Sequence, residues 1–92
     1  MNAASYREFI EERILDVIET GLENGSLTTK RAEEISGLVL NALSETMTID
    51  QLYVAIQKLK YAAPEVIPAV SQAMDRYDEI QKDKVLRQIK TG

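Results

Sequence analysis

Ninety-two residues suffice for one domain and leave no length for a second. Hydrophobic residues at 45% and charged residues at 28% give the balance of a globular chain, not of a disordered one. A net charge of −4 disfavours nonspecific attraction to nucleic acid or an anionic membrane, because the long-range field has the wrong sign.

With no cysteine there is neither a disulfide framework nor thiolate chemistry, which fits a reducing compartment. Six carboxylates among the first two dozen residues prevent a secretory apolar core from forming there. No run approaches the ~18 apolar residues of a spanning helix, so no membrane partner and a cytoplasmic location are expected. The charge is uneven: residues 1–46 hold four Lys/Arg against nine Asp/Glu, and residues 47–92 hold seven against six.

Hydrophobic periodicity predicts an all-α protein, a small bundle of four helices joined by short loops, over about 5–23, 28–43, 48–62 and 65–90. The first segment opens at Ser5, with Glu8 at the offset of a capping box. Its apolar residues, Tyr6, Phe9, Ile10, Ile14, Val17, Ile18 and Leu22, follow the 3.6-residue period. Gly25 suits the left-handed position that ends it.

The second segment begins at Thr28 or Thr29, and Ala32, Ile35, Leu38, Val39, Ala42 and Leu43 line one face. Leu40 falls off that stripe, and Gly37 lies on the outer side. Thr48 and Gln51 form a second candidate capping box, starting a helix whose inward stripe is Ile49, Leu52, Tyr53, Ile56 and Leu59. Pro64 stops it, since the residue before proline is driven out of the α region. Val54 and Tyr61 share another face, expected to pack against a second neighbouring helix.

In the fourth segment Pro68 falls in the first turn, where its missing amide is harmless. Val66, Val70, Ala73, Tyr77 and Ile80 form a seam suited to helix packing. After Ile80 the phase slips, and Val85, Leu86 and Ile89 turn to another face beside Lys82, Lys84, Arg87 and Lys90. A helix of 26 residues would span about 39 Å against about 22–28 Å for the others. Two readings stay open for its end: it changes partner helix within the fold, or it projects and binds a partner.

Catalytic chemistries that rest on histidine or a thiol find no residues here, and nothing in the spacing of the serines singles one out for a Ser-Lys arrangement. Histidine and cysteine are absent, so the usual bases, zinc ligands and Glu-x-x-His di-metal pairs do not occur. No phosphate-binding glycine loop and no calcium-loop pattern appears either. No enzyme and no cofactor are expected. Glu8, Glu12, Asp16, Glu19 and Glu23 run along one side of the first helix, a solvated face or a docking surface for a basic partner.

The segment Ile18–Thr28 resembles stretches of small helical proteins of prokaryotes, a likeness that implies no activity. The reading that results is a non-catalytic protein-interaction module, binding another protein or itself. Its candidate partner-binding residues are Val85, Leu86 and Ile89 on the last helix and Glu12, Asp16 and Glu19 on the first. The alternative is a small nucleic-acid-binding regulator that uses the 48–62 helix, with Asp50, Gln51, Gln57, Lys58 and Lys60 facing the nucleic acid. That helix has no arginine, which counts against the alternative.

Overall fold

A computed structural model describes residues 1–91. The fold is a four-helix bundle, α1 (Ala3–Asn24), α2 (Thr29–Ala42), α3 (Ile49–Ala62) and α4 (Ile67–Thr91), with a 3₁₀ turn over Pro64–Val66 leading into α4. No strand occurs among the described residues. The helices form where the apolar period predicts, and their ends follow local chemistry.

The first helix starts earlier than predicted. Asn2, not Ser5, is its cap: the Asn2 Oδ1 accepts the Ser5 backbone N–H at 2.8 Å, and the Tyr6 N–H reaches the Asn2 carbonyl at 3.0 Å. With its own amide already used, Ser5 lies inside the helix and the Ser5–Glu8 box does not form. Beginning at Asn2 also brings Ala3 and Ala4, favourable helix formers, into the first turn. Gly25 ends α1 at φ 78°, the one positive φ among the described residues.

The other caps fall where the sequence places them. The Thr28 Oγ1 accepts the Arg31 N–H at 3.1 Å, and Leu43 closes α2. Thr48 and Gln51 form a reciprocal capping box, with distances of 3.2 and 2.9 Å. Ala63 ends α3 one residue before Pro64, and Pro68 sits harmlessly in the first turn of α4.

One apolar cluster joins all four helices. Tyr6, Ile10, Ile35, Leu52, Ile56 and Val66 are fully buried within it, and no polar or charged side chain among the described residues is buried. Against expectation, Leu22 is exposed, because the inward position at that turn of α1 is held by Gly21, over which Leu27 packs. Val54 and Tyr61 are exposed as well. No second neighbour covers that face of α3.

Two polar clasps bind the loops and ends. The Arg31 guanidinium grips Glu65 through both carboxylate oxygens, at 2.6 and 3.0 Å, and donates to the Ala62 carbonyl at 3.2 Å. It thereby ties the start of α2 to the α3–α4 junction. The Arg31 hydrogen bonds, with a backbone hydrogen bond at Glu65 itself, hold the Glu65 carboxyl down from about 4.5 to about 2. Because the folded value lies below the unfolded one, this contribution is complete above about pH 4.5 and disappears as pH falls towards 2. Urea denaturation at a series of pH values is expected to show stability declining across that window, with a shallower decline in Glu65→Gln. Equal slopes for both proteins would refute this role.

The second clasp is aromatic. Tyr53 and Tyr77 stack at 4.0 Å, the Tyr77 hydroxyl donates to Asp50 at 2.6 Å, and the buried Tyr6 hydroxyl donates to the Ala73 carbonyl at 2.6 Å. This cluster marks the last full contact of α4 with the bundle. Beyond it Ile80 and Gln81 are half-buried, and every residue from Lys82 to Lys90 is exposed.

The overall dimensions, 52 × 25 × 19 Å, reflect that extension. The radius of gyration is 14.7 Å, against about 12 Å for a compact chain of this length.

Candidate functional site

The largest organised cluster of titratable side chains is the tyrosine group, and its geometry is structural. Burial pushes the Tyr6 phenol up, and the hydrogen bond to Asp50 does the same for Tyr77, so both stay neutral donors near pH 7. Among the described residues, no group of three or more carboxylates could hold a metal ion. No described helix is long and apolar enough to cross a membrane.

What the surface offers instead is apolar area in unusual places. On α4, Val85, Leu86 and Ile89 are 54%, 50% and 71% exposed. They fall within an arc of about 100° on the helix, so they form one stripe. Around them stand Lys82, Lys84, Arg87 and Lys90 against the single acid Asp83, which pairs with Arg87 at 3.0 Å. α4 is one unbroken helix of 25 residues, and its seam towards the bundle fades from buried Val70 and Ala73 to half-buried Tyr77 and Ile80.

A second exposed patch lies between α1 and α2. Ile14, Leu15 and Ile18 from α1, Val39 and Leu40 from α2 and its C-cap Leu43 line a groove of about 260 Å³, together with Glu11 and Ser36. Leu15 is 53% exposed and Leu40 80%. Glu8, Glu11 and Glu12 surround Leu15 on its outer side, so an acidic rim borders the apolar floor.

The acids of α1 are not explained by the helix dipole. Its stabilisation falls off within the first turn, and with the helix starting at Ala3, Glu8 already lies beyond it. Local pairing accounts for some of the charge. Arg13 meets Asp16 at 3.3 Å and Glu12 at 3.9 Å, and Arg7 meets Glu11 at 3.4 Å. Glu8, Glu19 and Glu23 make no ion pair among the described residues. Like charges at helical spacing cost about 0.2–0.5 kcal/mol per pair, an expense that a cationic partner would relieve.

A third exposed patch, with Tyr61 and Ile67, sits on the α3–α4 shoulder, where the Lys60 ammonium lies 5.4 Å from the Tyr61 ring. On α3, Asp50 is engaged by Tyr77, and Gln51 and Lys58 are exposed.

The two sets of residues singled out from the sequence do not meet within one chain. α1 and α4 run antiparallel: Tyr6 bonds Ala73, Phe9 lies under Arg76 at 4.5 Å, and Thr20 and Asn24 lie near Pro68. The stripe of Val85, Leu86 and Ile89 therefore leaves past the N-terminus of α1, away from Glu12, Asp16 and Glu19. Sequence reasoning missed Leu15 and Leu40 as surface features of interest. The available signal was that each lies off its helix's inward stripe, Leu15 in the middle of the carboxylates. The chain matches no family model, no curated protein and no solved structure.

Proposed function

We propose that this protein is a non-catalytic helical interaction module that self-associates through the projecting end of α4. The observation that carries the reading is the stripe of Val85, Leu86 and Ile89, exposed on a helix that has run beyond its own bundle. Exposed apolar side chains in a contiguous helical stripe are a cost in water unless a partner covers them. The flanking lysines and arginine direct that stripe towards an acidic surface. The same chain presents such a surface on α1.

Light scattering coupled to size exclusion, over a concentration series, tests this with the full chain. The mass is expected to rise with concentration in the unmodified protein. In the triple variant Val85→Ser, Leu86→Ser, Ile89→Ser it is expected to stay that of one chain, with the bundle still folded by circular dichroism, because no core residue is touched. A strict monomer for the unmodified protein at every concentration would sink the self-association.

A further inference from the structure

The end of α4 is a basic amphipathic helix with no bundle beneath it, and the α1–α2 groove is an acid-rimmed apolar trough with no helix in it. We propose that the α4 end of each chain docks in the α1–α2 groove of a second copy, so that two chains pair by reciprocal exchange of their last helices. This inference rests on the reading above, that residues 85–89 are the binding element, and adds what they bind.

Three observations select this occupant. First, the apolar parts match in kind. Leu15 and Leu40 are the exposed leucines of the groove, and Val85, Leu86 and Ile89 are the exposed aliphatic residues of the helix end. A helix laid in the groove would cover both sets at once.

Second, the charges match in sign. Four bases against one acid over residues 82–90 meet an α1 that carries six carboxylates and two arginines. Glu8, which borders Leu15, has no ion-pair partner among the described residues of its own chain. Such an arrangement steers association and sets orientation.

Third, a chain cannot fill its own groove. The helix end departs past the N-terminus of α1, while Leu15 lies about 18 Å along α1 in the opposite direction. No glycine or proline lies between Pro68 and Gly92, so nothing in that stretch favours a sharp bend back. The occupant must come from another molecule. A chain with one such end and one groove closes with a second chain about a two-fold axis, leaving neither feature uncovered.

Sedimentation velocity on the full chain with two single variants tests the pairing. Leu40→Glu spoils the groove, and Ile89→Glu spoils the helix end. Both positions are exposed, so circular dichroism is expected to show unchanged helicity. Each variant alone is expected to dimerise at least about tenfold more weakly, because an unpaired carboxylate buried in an apolar contact costs more than that factor. An equimolar mixture of the two variants is expected to recover a heterodimer, one chain supplying an intact end and the other an intact groove. Raising the salt concentration is expected to weaken the unmodified dimer.

Leu40→Glu that dimerises like the unmodified chain, with Ile89→Glu impaired, would overturn the groove and leave the helix end as the binding element. Ile89→Glu that dimerises normally would overturn both readings. Failure of the mixture to form a heterodimer, with both variants impaired singly, would overturn the reciprocal exchange.

Discussion

Replacing Ile56 with alanine is expected to lower the unfolding free energy by about 2–5 kcal/mol. Ile56 has no exposed surface, and it lies in the middle of α3 within the cluster that holds Tyr6, Ile10, Ile35, Leu52 and Val66. Deleting its branches removes apolar area from the core and leaves a cavity that packed helices close only in part. For a domain of this size, total stability is of the order of 5–10 kcal/mol, so the loss takes up to half or more of it. Urea denaturation followed by circular dichroism measures this directly. The midpoint should fall while the slope stays constant, since the surface exposed on unfolding barely changes. Val54→Ala, on the same helix but on its exposed face, is expected to stay within about 0.5 kcal/mol of the unmodified protein. A loss below about 1 kcal/mol for Ile56→Ala would show that the site is not the packed centre described.

Two glycine-to-alanine changes are expected to move stability in opposite directions, although both glycines lie inside helices. At Gly37 in α2 an added Cβ meets nothing within 4 Å. Only the backbone preference operates there, and alanine is expected to stabilise by up to about 1 kcal/mol. At Gly21 in α1 the Cβ would stand 2.8 Å from the Leu27 Cβ and 3.3 Å from its Cδ2. A Cβ cannot rotate away, so the 25–28 loop would have to move. With it would go the bond from the Leu27 N–H to the Gly21 carbonyl, now 3.0 Å. Overpacking of this kind costs about 1–3 kcal/mol and outweighs the propensity gain. Thermal melts of the two variants beside the unmodified protein read the signs. A stabilised Gly21→Ala would mean that the close approach of Leu27 is not needed.

Such a pair also shows where sequence information stops. Nothing within α1 or α2 distinguishes Gly21 from Gly37 except that one lies on the inward stripe. Their difference is the presence of Leu27, placed by the turn at Gly25. The Arg31–Glu65 clasp joins residues 34 apart, and the Tyr77–Asp50 bond residues 27 apart. Neither has a local signature, because each residue is of an ordinary charged or aromatic type and its partner comes from another element.

The helices and most of their ends follow from local residue patterns. Apolar spacing, the Thr28 cap, the Thr48–Gln51 box, Gly25 and Pro64 act over four residues or fewer, so the chain carries them independently of what packs against it. The start of α1 is likewise a competition between two local caps, Asn2 and Ser5, which Asn2 wins. Which apolar residues end up covered depends on how the helices pack. Leu22, Val54 and Tyr61 are exposed, and Leu15 and Leu40, on different helices, come together in one groove. The phase break after Ile80 was legible in the sequence. That the helix beyond it leaves the bundle depends on how far the antiparallel α1 reaches, and α1 begins only one turn before Tyr6, which bonds Ala73. Exposure is a property of neighbours, and neighbours are set by packing across the whole chain.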